Sequence, residues 1–174
     1  MFIGVADLER HKIRFDQTYA PGEISFDDDI KQVSDLHAAG EAELLRNTLG
    51  EIRIRGNLTG AVEIACDRCL EPARIALDSP FDLFYRPAPK ETNGTHPERR
   101  IEEGEVDLSF YEGPGLELEE ALREFVLLSL PMQVFCRPDC KGICPFCGEN
   151  RNMVECGCTR QKLDERWAAL RNIQ

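Results

Sequence analysis

The sequence predicts an α+β protein, in which a helix packs on an antiparallel β-sheet meander of about four or five strands and a cysteine-rich C-terminal appendage follows. Three observations support this class. Segments that alternate apolar and polar residues occupy the middle of the chain, one stripe of helical period comes next, and six of the eight cysteines lie after residue 135. We therefore divide the 174 residues into a β-rich core domain, 1–135, and a cysteine-rich tail, 136–174.

The charge differs between these two parts. The net charge is −11, and residues 1–135 hold 14 basic and 27 acidic side chains, whereas the tail holds 7 basic and 5 acidic ones. No segment approaches the roughly 18 apolar residues of a membrane span, and the first 15 residues lack the apolar run of a signal peptide. We therefore expect a cytoplasmic protein without a membrane partner, in a compartment where disulfides are rare.

The strand predictions start with Glu51–Arg55 and Ala61–Cys66, which alternate in the same parity. The glycines between these segments are typical of a hairpin or a bulged bend. Further strands are predicted at 74–77 and 81–85, on either side of Ser79-Pro80. Residues 41–49 fit a strand or a helix, and we favour a strand because the meander needs a neighbour.

A loop and two helices complete the core domain and the tail. Residues 86–104 lack an apolar period and predict a loop, and the acidic residues of 91–124 are interpreted as a solvated surface. A helix is predicted from Leu116 to Leu130, ended by Pro131, with a stripe formed by Leu118, Leu122, Phe125, Val126 and Leu130. Leu163, Trp167 and Leu170 predict a short terminal helix that Asp164 caps.

The eight cysteines form four pairs, which are Cys66 and Cys69, Cys136 and Cys140, Cys144 and Cys147, and Cys156 and Cys158. Two thiolates separated by two residues can bind one ion from a tight turn, and a structural zinc site takes four such ligands. The pattern therefore predicts one or two zinc ions per chain and a zinc-stapled appendage. Disulfides, a redox pair at Cys66 and Cys69, and an iron–sulfur cluster are the alternatives.

The spacing also bears on which pairs share an ion. Contiguity favours Cys144 and Cys147 with Cys156 and Cys158, which leaves Cys66 and Cys69 to meet Cys136 and Cys140 and to clip the tail onto the strands. The alternative joins the first pair with Cys144 and Cys147, since both pairs resemble zinc knuckles.

Catalytic residues are not apparent in the sequence. None of the three histidines adjoins a cysteine that it could activate, and neither a dinucleotide-binding nor a Walker-type glycine motif occurs. Eight thiolates that all bind metal would leave no coordination position for a substrate. We therefore expect a protein that is not an enzyme.

Several motifs resemble those of the bacterial YceD family, the large ribosomal RNA subunit accumulation proteins. Cys66-Asp-Arg-Cys69-Leu-Glu-Pro72 is similar to the family's Cys-x-Arg-Cys-Leu-x-Pro signature. The segment from Leu127-Leu-Ser-Leu-Pro131 through Cys136, Cys140 and Cys144-Pro-Phe-Cys147-Gly148 resembles its later cysteine element, and Asp164-Glu-Arg-Trp167-Ala-Ala-Leu170 resembles its closing motif. The match covers most of residues 40–174.

This resemblance implies a noncatalytic role in the accumulation of large-subunit ribosomal RNA, and hence in ribosome biogenesis. The expected partner is a ribosomal RNA precursor or a ribosomal protein of the large subunit. Because basic residues in the tail suit phosphate contacts, the candidate contact residues are Arg137, Lys141, Arg151, Arg160 and Lys162. Two alternatives stay open: an acidic adaptor that binds a basic ribosomal protein, and a thiol redox enzyme that uses Cys66 and Cys69.

Overall fold

The computed structural model describes residues 1–27, 29–88 and 108–158, and the chain is mostly β-sheet with one main helix. In chain order the elements are β1 (Phe2–Gly4), α1 (Val5–Leu8), β2 (Ile13–Tyr19), β3 (Ile30–Gln32), β4 (Leu36–Leu44), β5 (Ile52–Ala65), β6 (Pro72–Pro87), β7 (Leu108–Tyr111), β8 (Gly115–Glu117) and α2 (Leu118–Ser129). Among the described residues, no helix has the length and apolar character needed to cross a membrane.

The main sheet has the strand order β2-β4-β5-β6-β7, and β3 pairs with the C-terminal end of β5. Its pairs are antiparallel, as predicted, except for β6 and β7, which run parallel. The purely antiparallel meander is therefore wrong at this last pair. β1 and β8 form a separate two-stranded antiparallel sheet.

The glycines of β5 do not form the hairpin that the sequence allows, because residues 52–65 are one continuous strand. Gly56 lies opposite Gly40 of β4. A Cβ atom at Gly56 would lie 2.3 Å from the carbonyl oxygen of Ala39 and 2.8 Å from the Phe81 ring. The rings of Phe81 and Phe15 stack with centroids 6.3 Å apart. Gly56 and Gly40 therefore provide space for aromatic rings in the core instead of a turn.

The two strands predicted at 74–77 and 81–85 are also one strand, β6. Pro80 lies inside β6, opposite Asn57 of β5. In the described part of the chain, β7 pairs with β6 only over Phe84–Pro87, so the outer edge of β6 at Pro80 has no partner strand. A proline is accepted there because no hydrogen-bond donor is needed on that edge.

Helix α2 packs on the sheet through the predicted stripe. Leu118, Leu122 and Val126 are fully buried, and the Phe125 ring lies 5.5 Å from that of Phe81. The helix is shorter than predicted, since Leu116 belongs to β8 and pairs with Ile3 of β1.

Three other predictions meet the structure only in part. The segment 41–49 is a strand as far as Leu44, and the predicted loop at 86–104 starts later because Arg86 and Pro87 belong to β6. The rest of that loop beyond residue 88 lies outside the described residues, as do the terminal helix, Asp164 and the contact candidates Arg160 and Lys162.

Candidate metal centres

The first pair of cysteines lies in the turn that joins β5 to β6, the two longest strands. Leu70 N–H donates to the Cys66 carbonyl at 2.9 Å, and Cys66 N–H donates to the carbonyl of Glu71 at 2.8 Å. Leu70 adopts a φ of 63°, which reverses the chain directly after Cys69. This tight turn brings both thiols to the same side of the hairpin tip, as a metal-binding knuckle requires.

Four thiols meet at this tip, and we call them site A: Cys66, Cys69, Cys136 and Cys140. The Sγ atoms of Cys66 and Cys140 lie 3.9 Å apart, and those of Cys69 and Cys136 lie 3.5 Å apart. Three of the four residues are buried, while Cys136 is exposed.

The other four thiols form site B: Cys144, Cys147, Cys156 and Cys158. Gly148 has a φ of 76° and its N–H donates to the Cys144 carbonyl at 2.9 Å, so residues 144–148 form a second knuckle. A β-bridge between Ile143 and Asn150 closes the turn on the other side. Only Cys144 is buried, so site B is the more accessible of the two.

The sulfur positions fit tetrahedral coordination. With Zn–S bonds of about 2.3 Å, a regular tetrahedron places its sulfurs about 3.8 Å apart. Within each site the four Sγ atoms all lie within 4.8 Å of one another, and the eight cysteines are free thiols. The two groups are those favoured by contiguity, and Cys66 and Cys69 do not join Cys144 and Cys147.

Backbone N–H groups lower the pKa of one thiol in each site. Burial raises the pKa of Cys66, but the N–H groups of Cys136, Arg68 and Cys69 outweigh it and lower the pKa to about 6. At site B, the N–H groups of Cys147 and Phe146 lower the pKa of Cys144 to about 6 against the effect of burial. These two sulfurs are therefore the readiest to serve as thiolate ligands.

Crowding of sulfurs has the opposite effect on other thiols. Partial desolvation of the thiol and its hydrogen bonds with the neighbouring sulfurs raise the pKa of Cys136 to about 12. Hydrogen bonding with Cys147, together with partial desolvation of the thiol, raises the pKa of Cys158 to about 12. Because four thiolates in such a group repel one another, a divalent cation at its centre would stabilise them all in the ionised form.

Two residues between the cysteines of the first knuckle attach it to the tail. Asp67 N–H donates to the Val134 carbonyl at 2.9 Å, and Val134 N–H donates to the Asp67 carboxylate at 2.6 Å. The Arg68 guanidinium lies 4.1 Å from the centroid of the Phe135 ring and donates to the Cys140 carbonyl at 3.1 Å. Asp67 and Arg68 thus position the chain that carries Cys136 and Cys140.

Sequence reasoning did not identify Asp67, Arg68 or Asn152 as supporting residues. Asn152 donates from its side-chain nitrogen to Cys140 Sγ at 3.3 Å, and this hydrogen bond lowers the pKa of Cys140. The sequence offered only a weak signal for these three residues, which is that they are polar and lie within or between cysteine pairs. Such residues commonly orient metal ligands.

The described contact candidates are all exposed but do not form one cluster. Lys141 and Arg151 line the same surface cavity of about 260 Å³, together with Val154, Glu155 and Cys156. Arg137 instead forms an ion pair with Asp139 at 3.5 Å.

Comparisons with curated proteins find relatives in bacteria and plants. The chain is 31% identical over 119 residues to the uncharacterized protein Rv2926c of Mycobacterium tuberculosis, a match that covers 68% of this chain and 54% of that protein. It is 23% identical over 168 residues to the uncharacterized protein YlbN of Bacillus subtilis, which covers 95% and 90% of the two chains. The chloroplastic large ribosomal RNA subunit accumulation protein YCED homolog 1 of Arabidopsis thaliana is 25% identical over 143 residues, with coverage of 71% and 44%.

The chain therefore spans about half the length of several curated relatives that it matches. No solved structure matches it. The family model described as large ribosomal RNA subunit accumulation protein YceD matches residues 54–174, which include most of β5, all of β6 and α2, and all eight cysteines. The chain belongs to the YceD family.

Proposed function

We propose that this protein is a noncatalytic zinc-binding factor that supports the accumulation of large-subunit ribosomal RNA during ribosome biogenesis. The observation that carries the proposal is the pair of four-thiol sites in a chain of the YceD family. Relatives from Arabidopsis and maize are named large ribosomal RNA subunit accumulation proteins, which supports the assignment to this process.

Each site would hold one ion through its four thiolates, so the protein would bind two zinc ions. Four thiolates at tetrahedral spacing are the donor set of structural zinc sites, in which no position remains for water or substrate. Site A would tie the tip of the β5–β6 hairpin to the segment that follows α2. Site B would organise the segment 144–158, where regular secondary structure is limited to one β-bridge.

The geometry of Cys66 and Cys69 disfavours the redox alternative. Cys66 has 0% and Cys69 has 4% of its surface exposed, and both lie in a turn between two strands instead of at the start of a helix. Reactive cysteines of redox enzymes need access to a disulfide substrate. Thiolates that also bind a metal ion would be unavailable for attack.

RNA recognition by the tail would depend on individual side chains more than on net charge. Counted with neutral thiols, residues 136–174 carry +2. The six thiolates of the tail and two divalent ions together add −2, so the tail with both filled sites carries a net charge of 0. Lys141 and Arg151 are the stronger contact candidates, because they share a cavity and neither has an ion-pair partner in the described part of the chain.

Metal analysis tests the zinc assignment. We expect two zinc ions per purified chain and eight thiols that react only after a strong chelator removes the metal. Less than one ion per chain, or free reaction of all thiols before chelation, would refute the two-site proposal. Iron in place of zinc would reassign the sites to an iron–sulfur cluster or rubredoxin-type centre.

Cosedimentation with large-subunit precursors tests the RNA contact. The variant K141A/R151A should lose cosedimentation, whereas the control R10A/K31A, which removes the same charge from exposed core positions, should retain it. Equal retention by both variants would exclude this cavity as the contact. Salt-sensitive binding of a basic ribosomal protein that survives nuclease treatment would favour the adaptor alternative.

A further inference from the structure

The loop that joins Cys147 to Cys156 carries a side chain that contacts the other metal centre. We propose that metal binding at site B strengthens metal binding at site A, and that Asn152 transmits this effect. The proposal rests on the metal-binding function above and adds to it an energetic link between the two sites.

Site B closes the loop that carries Asn152. Its eight residues, 148–155, have a site B ligand at either end. Inside it, Met153 and Val154 N–H both donate to the Asn150 carbonyl at 3.0 Å, and Arg151 N–H donates to the Gly142 carbonyl at 2.9 Å. A metal ion at site B would fix both ends of the loop and so reduce the entropy lost in placing Asn152.

The side-chain amide of Asn152 makes three hydrogen bonds. Its nitrogen donates to Cys140 Sγ at 3.3 Å and to Asn150 Oδ1 at 2.9 Å. Its oxygen accepts from Lys141 N–H at 2.8 Å. The side chain therefore holds a ligand of site A and the residue after that ligand while it belongs to the loop of site B.

A short segment of chain also connects the two sites directly. Cys140 and Cys144 are separated by three residues, of which Ile143 donates its N–H to the Arg68 carbonyl at 2.8 Å. Gly142, at a φ of 71°, has so little space that a Cβ atom would lie 2.9 Å from the same carbonyl. This segment is consequently held against the first knuckle, and a shift of site B would be passed to Cys140.

The same contacts give the sign of the coupling. A filled site B orders Asn152, which then donates to Cys140 Sγ and holds that sulfur in position as a ligand of site A. Because coupling between binding sites is reciprocal, filling site A must favour site B by the same factor. Loss of a residue that orients a ligand typically lowers metal affinity about 10-fold or more, so we expect a coupling factor of at least about 5.

Cobalt titration of the full chain measures this factor, because Co²⁺ bound to thiolates absorbs light in the visible and near-ultraviolet. The variant C147S/C158S gives the affinity of site A alone, and C69S/C136S gives that of site B alone. The overall constant for two Co²⁺ ions in the unsubstituted chain, divided by the product of the two single-site constants, is the coupling factor.

We expect this factor to be about 5 or more in the unsubstituted chain and about 1 when every protein also carries N152A. N152D keeps an oxygen acceptor for Lys141 but has no amide donor for Cys140, so it should also give about 1. N57A removes an exposed asparagine that bonds Asp78 on the sheet, and it should leave the factor unchanged.

A factor near 1 in the unsubstituted chain would refute the coupling. A factor that stays at 5 or more with both N152A and N152D would refute Asn152 as the connection. Absence of the thiolate-to-cobalt absorption in both single-site variants would instead refute the metal-binding function itself.

Discussion

Substitution of Arg68 separates a structural role from an RNA contact. An arginine within the signature motif of a ribosomal RNA accumulation family invites assignment to phosphate binding. The structure instead places its guanidinium 4.1 Å from the centroid of the Phe135 ring and 3.1 Å from the Cys140 carbonyl. We therefore expect R68A to destabilise the attachment of the tail to the hairpin tip.

The size of the effect follows from these two contacts. A cation over an aromatic ring at an exposed site contributes about 0.5–1 kcal/mol. A hydrogen bond from a charged donor contributes about 1.5 kcal/mol at the lower end of its range, which suits a partly buried pair. The sum of about 2 kcal/mol corresponds to a decrease in Tm of about 4–8 °C for a chain of this size.

Thermal unfolding of the zinc-loaded protein, followed by circular dichroism, measures this decrease. R68K keeps the charge but loses the planar stacking group, so it should recover less than half of the loss. The control R10A removes an exposed arginine from the core domain and should change Tm by no more than about 1 °C. An unchanged Tm in R68A, combined with lost cosedimentation with ribosomal precursors, would refute the structural role and make Arg68 a partner contact.

Three further outcomes test the core. L122A removes a fully buried side chain and should cost about 2–5 kcal/mol in urea unfolding, whereas L128A, at 85% exposed, should cost less than about 0.5 kcal/mol. G56A should cost about 1–3 kcal/mol because its Cβ meets the Ala39 carbonyl and the Phe81 ring, while G157A, with nothing within 4 Å of the new atom, should unfold like the parent chain. Burial raises the pKa of all three tyrosines, that of Tyr19 to about 12, so their 295 nm absorbance should rise at higher pH in the native protein than in urea. The unfolded chain then loses its phenol protons at a lower pH than the native chain, so the free energy of unfolding should fall as pH rises above about 10. Native and urea titrations that coincide would contradict the assigned burial.

Helix α2 and the ligand set of site B could be predicted because their signals are local, and the ligand set of site A followed as the four cysteines that remained. The stripe from Leu118 to Val126 has helical period, and the short distance along the chain between Cys147 and Cys156 favours their meeting. Neither inference requires knowledge of how distant segments pack.

The predicted strand boundaries were wrong where packing across the sheet determines the structure. Gly56 looks like a turn residue until the Phe81 ring is placed over it, and Pro80 looks like a break until the outer edge of β6 is known. The parallel pairing of β7 likewise depends on a return of the chain that no local pattern specifies. β2 was missed although Ile13, Phe15 and Tyr19 alternate with polar residues, so its signal was present.

The supporting residues of the metal centres were missed for a related reason. Asp67 and Arg68 are separated from Val134 and Cys140 by more than sixty positions, so their hydrogen bonds have no local signature. Asn152 is near Cys140 in sequence, but its role depends on the conformation of the loop that carries it.

The wide sequence separation within site A has a consequence for the order of folding. Cys69 and Cys136 are 67 residues apart, whereas the ligands of site B all lie within residues 144–158. Since each doubling of a closed loop costs about 0.6 kcal/mol of chain entropy, closing site A is about 1–2 kcal/mol more expensive than closing a loop of about ten residues. Site B can form from local chain alone, whereas the hairpin tip must wait for the tail to be synthesised. Metal binding at site A would then be among the last events of folding, after the hairpin tip and the tail have met.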